Sequence, residues 1–241
     1  MSSAPDQTSR LLRHERRIVA AGIALLVALC AWYLAAGAGM DGEMAMEPPL
    51  PALIMMWWVM MAAMMLPSAA PAILLYARVR AMRSGDGAVA AIWVFLSGYL
   101  AVWLLFSVVA AAAQQWLTGP SMALGSRALS AAVLIAAGAY QLSPLKGVCL
   151  RQCRTPAQFI SRHWRPGSSG AARLGLLHGA YCVGCCWMLM ALLFVAGIMN
   201  FAWITAFAAI VAVEKLLPRG EWIARATGVV LIAWGVARIA G

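Results

Sequence analysis

Residues 53–77 read Leu-Ile-Met-Met-Trp-Trp-Val-Met-Met-Ala-Ala-Met-Met-Leu-Pro-Ser-Ala-Ala-Pro-Ala-Ile-Leu-Leu-Tyr-Ala, a run without one charged side chain that stops just before Arg78, Arg80 and Arg83. A bilayer core takes about 20 residues of helix, so the run is long enough to cross with some tilt. Working outward, the same alternation of apolar run and basic stretch recurs at about 18–40, 88–113, 128–143, 174–199, 201–217 and 222–237. The last of these is interrupted by Arg225, whose side chain has to snorkel toward the headgroups. The expected fold is all-α: a polytopic transmembrane helical bundle of about seven spans. Residues 1–17 form a basic tail, 18–241 a single membrane domain, and 144–173 a Cys/Arg-rich cytoplasmic loop. The basic flank before the first run also suits a signal peptide, but that run exceeds a signal core and is read as a span.

Composition agrees. Of 241 residues, 64% are hydrophobic and 11% charged, against about 45–50% and about 25% in a typical soluble domain. The formal charge of +10 would suggest nucleic acid in a soluble chain; here the bases punctuate spans, and the partner they imply is anionic lipid. Placing the N-terminus in the cytoplasm puts sixteen of the eighteen Lys and Arg inside and leaves Arg127 and Arg238 outside, as the positive-inside rule requires. That orientation predicts a cytoplasmic (inner) membrane protein. Phosphate-binding loops, hydrolytic triads and paired catalytic carboxylates are missing, so enzyme chemistry is not the expectation.

Sulfur dominates what remains. His178, Cys182 and Cys185 stand at i, i+4 and i+7 of the 174–199 run, with Cys186 adjacent, and this spacing lines one helical face. The three span about 10 Å along the axis, so one ion would take two of them plus donors from another helix. The 53–77 run supplies Met56, Met60 and Met64 as one stripe, with Met61 and Met65 on a neighbouring face. Thioether and thiolate are soft donors that select Cu(I), although methionine and cysteine also simply fill cores. Counting about 1.5 Å per residue, Met60 to Met65 lies roughly 10–18 Å from the outer end of its span, and Cys182 to Cys186 roughly 12–18 Å from the inner end of its own. Pro67 and Pro71 are expected to kink the methionine helix below this level. In the cytoplasmic loop, Cys149 and Cys153 stand among arginines that favour thiolate. Met44 and Met46 accompany Asp41, Glu43 and Glu47 in the outer loop. Cys30 reads as packing, and Glu214 with Lys215 as a neighbouring charge pair at the interface.

Four of these segments, occurring in order, carry a family resemblance: Met55-Met-Trp-Trp through Met64-Met-Leu-Pro-Ser-Ala-Ala-Pro71; Tyr140-Gln-Leu-Ser-Pro-Leu-Lys146 with Cys149 and Cys153; His178-Gly through Cys185-Cys186-Trp187; and Glu214-Lys-Leu-Leu-Pro218. From about Leu50 to the C-terminus the chain resembles a bacterial family of unknown function described as predicted metal-binding integral membrane proteins, some of them copper-associated. The resemblance implies a multi-pass protein that handles metal, copper before zinc. With the residues, it points to Cu(I) held by Cys182, Cys185 and Cys186 with His178 and Met56, Met60 and Met64, exchanged through Cys149 and Cys153, for transport or for delivery to a copper-dependent partner protein. Two other readings use the same residues: a membrane thiol-disulfide relay between Cys182/Cys185 and Cys149/Cys153, and a non-catalytic assembly subunit whose sulfur merely packs.

Overall fold

The computed structural model describes residues 20–33, 36, 48–84, 88–118 and 124–240. The basic tail and the acidic loop with Met44 and Met46 lie outside the described residues. Within them the secondary structure is helical apart from one isolated bridge between Thr118 and Leu124. The helices are α1 (Ala20–Tyr33), α2 (Leu50–Ser84), α3 (Ala88–Leu117), α4 (Arg127–Leu142), α5 (Pro144–Arg154), α6 (Pro156–His163), α7 (Gly167–Ala191), α8 (Leu193–Ala196), α9 (Phe201–Leu216) and α10 (Gly220–Ala240).

Four stretches are long and apolar enough to cross a membrane: α2, α3, α7 with α8, and α10. A fifth arises if α4 and α5, bent by 62° at Ser143, count as one broken span. α9 has 16 residues, short of the about 20 that a bilayer core takes. Its limits are chemical. Asn200 Oδ1 accepts from Ala202 N and Trp203 N at its start, and Leu217, extended because Pro218 follows, ends it. Large apolar side chains such as Leu105, Val109, Val229 and Val230 remain on the outside, the surface expected of helices solvated by lipid.

Small residues let the helices approach closely. α3 and α7 meet through Gly98 and Gly175. A methyl group on Gly98 would stand 2.6 Å from the Ala172 carbonyl oxygen, and one on Gly175 would overlap the Phe95 carbonyl. α4 and α10 meet the same way, with Gly138 against the Gly228 carbonyl. α2 is tied to α3 by indoles: Trp57 Nε1 donates to Gln114 Oε1 at 2.7 Å and Trp58 Nε1 to the Leu100 carbonyl at 3.0 Å. α2 continues as helix through Pro67 and Pro71, which both lie on its exposed side, where the backbone amides they lack leave no buried deficit in the core.

The 144–173 segment, expected as a loop, is largely helical. Ser143 Oγ accepts from Lys146 N, and Pro144 takes the first helical position, which suits its fixed φ and missing N–H. The resulting α5 lies against α7. Lys146 and Leu150 are buried, while Cys149 and Cys153 are partly covered. Arg151 and Arg154 close the last turn.

Candidate metal centre

α7 carries the thiols inward because its residues 178, 182, 185, 186 and 189 all face neighbouring helices; each is buried. Cys185 Sγ donates to the Cys182 carbonyl at 3.1 Å and Cys186 Sγ to the same oxygen at 3.0 Å. These are thiol hydrogen bonds back along the helix. Cys182 Sγ lies 3.1 Å from Tyr99 Oη on α3 and 3.0 Å from Lys215 Nζ on α9, which donates to it.

Other helices bring more sulfur. Cys153 of α5 adjoins Cys182 and Cys185. Cys149, one turn earlier, rests on Gly184, where a methyl group would come within 2.8 Å of its Sγ. The glycine of the Cys182-Val-Gly-Cys185 sequence is thus the seat for a thiol from another helix. The Tyr140 hydroxyl donates to the Gly184 carbonyl and fixes the same contact from α4. From α2, Met65 Sδ lies 3.8 Å from Cys186 Sγ and 3.9 Å from Lys215 Nζ. All six cysteines are unbridged, and Cys30 is buried on α1.

The structure therefore gathers Cys153, Cys182, Cys185 and Cys186 and adds Met65. Met56, Met60 and Met64 are buried on α2, but the sulfur contact to Cys186 comes from Met65, on the neighbouring face of that helix. His178 is 2% exposed and boxed by rings, with Phe159, Tyr99 and Phe95 centroids at 5.3, 5.8 and 6.0 Å. Its Nδ1 finds no hydrogen-bond partner among the described residues. Among those residues no three His, Cys, Asp or Glu side chains are disposed as ligands of a single ion; Met65 adds a thioether beside Cys186.

Glu214 and Lys215 do not form the neighbouring pair that their adjacency suggests. Consecutive residues on a helix point about 100° apart, and each finds its own partner. Glu214 accepts from Lys146 Nζ at 2.6 Å and from Gln141 Nε2 at 2.8 Å, with Lys146 and Glu214 each 1% exposed. Lys215 turns to Cys182, Met65 and Ser68, the last at 3.2 Å. Below them Arg154 caps the end of α9, donating to the Leu217 and Pro218 carbonyls. The sequence carries no sign of Tyr99, assigns no role to Lys146, pairs Lys215 with Glu214 and sets Met65 only on a face beside the methionine stripe. The stripe Lys146, Cys149, Leu150, Cys153 at i, i+3, i+4, i+7, opened by Ser143-Pro144, is the signal that marks α5 as a packed helix.

The four segments of the family resemblance thus meet in one buried place: Met65 and Ser68 from the first, Gln141, Lys146 and Cys153 from the second, Cys182 and Cys186 from the third, Glu214 and Lys215 from the fourth. Comparison with curated proteins and with solved structures returns no match. A family model described as PpoB2, copper chaperone, matches residues 54–238. That match covers most of the chain and contains every residue of the sulfur cluster; the chain belongs to the PpoB2 copper chaperone family.

Proposed function

We propose that this protein is a multi-pass copper chaperone of the bacterial inner membrane that receives Cu(I) at Cys149 and Cys153 and holds it between Cys182, Cys186 and Met65 for delivery to a copper-dependent partner protein. The observation that carries the reading is the meeting of sulfur from three helices: Cys186 with Met65 at 3.8 Å, and Cys153 beside Cys182 and Cys185. Soft thiolate and thioether donors suit Cu(I), whereas zinc asks for four nitrogen, thiolate or carboxylate ligands in a tetrahedron. Loading requires the thiols of Cys182 and Cys186 to give up their protons. The Cys186 hydrogen bond to the Cys182 carbonyl is then exchanged for a bond to the ion. The partly covered Cys149 and Cys153 form the first rung, and the α7 thiols the buried second one. With the N-terminus in the cytoplasm, α5 and its arginines face the cytoplasmic leaflet, where anionic lipid would hold them.

Metal analysis of the purified protein under reducing conditions tests this. The expected result is bound copper in excess of zinc, lost in the double variant Cys182→Ser, Cys186→Ser. Full retention of copper by that variant would remove these thiols from the site. The contact of Cys153 with Cys182 and Cys185 also favours a second reading, a thiol-disulfide relay; a disulfide of Cys153 trapped in cells, with no copper bound, would select it.

A further inference from the structure

The sulfur cluster contains a cation of the protein's own. Lys215 Nζ lies 3.0 Å from Cys182 Sγ, 3.2 Å from Ser68 Oγ and 3.9 Å from Met65 Sδ. The residue is 6% exposed, so water screens its charge little. The nearest carboxylate, Glu214, is engaged by Lys146 and Gln141. Ser68 in turn donates to the Met65 carbonyl at 2.9 Å, which anchors the ammonium on the α2 side of the thiols. Tyr99, the remaining polar contact of Cys182, is neutral as a phenol.

We propose that Lys215 is a specificity-determining residue: its fixed ammonium sets the charge of the cargo, admitting a monovalent soft cation and turning away divalent ions. The inference rests on the reading that Cys182, Cys186 and Met65 hold the cargo. Two thiolates, one neutral thioether and one ammonium sum to a single negative charge. Cu(I) brings that sum to zero; Zn(II) leaves a positive charge buried, which is costly without a partner. The repulsion from Nζ is proportional to the charge of the ion. Removing the ammonium therefore raises affinity for a divalent ion by the square of the factor gained by a monovalent ion at the same place.

The experiment uses the full chain in detergent under reducing conditions. Cu(I), Ag(I) and Zn(II) affinities are measured by competition with soluble chelators for wild type, Lys215→Leu and Lys215→Arg. In Lys215→Leu, which removes the charge without adding a sulfur ligand, the Cu(I):Zn(II) affinity ratio is expected to fall about tenfold or more, with Ag(I) following Cu(I); Lys215→Arg should keep the wild-type ratio. An unchanged ratio in Lys215→Leu, with Cu(I) still bound, overturns the proposal and leaves the sulfur site standing. Wild-type protein that binds neither Cu(I) nor Ag(I) overturns both. Should Lys215→Leu fail to fold, Ser68→Ala decides: freeing Nζ from its anchor should lower the ratio several-fold, and an unaltered ratio counts against the proposal.

Discussion

Two buried polar groupings sit side by side on α9, and they are built on opposite plans. Around Glu214 the charges close on themselves: one carboxylate, one ammonium from Lys146 and one amide from Gln141, all in direct contact. Around Lys215 the ammonium meets, among the described residues, a hydroxyl and sulfur. The first grouping balances its own charges and ties α4, α5 and α9 together. The second keeps polarizable donors whose hydrogen bonds are weak and replaceable. Burial alone does not separate the two; the completeness of the electrostatic partnership does.

The largest effect is therefore expected from breaking the closed grouping. Glu214→Leu leaves Lys146 buried without a counter-ion and should cost about 3–5 kcal/mol of stability, read as a drop in Tm in detergent. Adding Lys146→Met should restore most of it, because the stranded charge is gone; failure of the double variant to recover would mean that the pair does more than balance itself. Next comes the open grouping. Cys182→Ser should lower Cu(I) affinity more than about a hundredfold, the upper range for disturbing even the surroundings of a metal ligand, while Tm stays near wild type. An equal loss of stability would erase the contrast between the regions. Third, Met65→Leu keeps volume and apolar character, so stability should change by less than about 1.5 kcal/mol. Its Cu(I) affinity should fall more than that of the Met60→Leu, Met64→Leu double variant; the reverse order would return the ligand role to the stripe of Met56, Met60 and Met64. The smallest effect is at the rim. Arg154 is 3.6 Å from Glu221 in a partly exposed ion pair, and Glu221→Ala, which leaves the Arg154 cap on α9 in place, should cost under about 1 kcal/mol in thermal unfolding, with Cu(I) binding unaltered.

The long apolar runs made α2, α3 and α7 readable, because a helix solvated by lipid needs little beyond length and lack of charge. The thiols of α7 were readable as one face for the same reason of period. Which face meets which was not. Periodicity placed Met65 one face away from the Met56, Met60, Met64 stripe but carried no information on which of the two looks toward α7. Lys215 was hidden by its neighbour: two adjacent opposite charges read most simply as a pair, and only the packing of α5 against α9 shows the carboxylate already taken. The 144–173 segment read as a loop because its hydropathy is low and its arginines many. Yet a buried lysine with a counter-ion is compatible with a packed helix, and the arginines end it.

Because the carboxylate and the ammonium occupy successive positions of one rigid rod, they move as one part. A roll of α9 that drew Nζ back from the sulfurs would also draw Oε2 off the Lys146 ammonium, so the closed ion pair next door resists any displacement of Lys215 from the thiols.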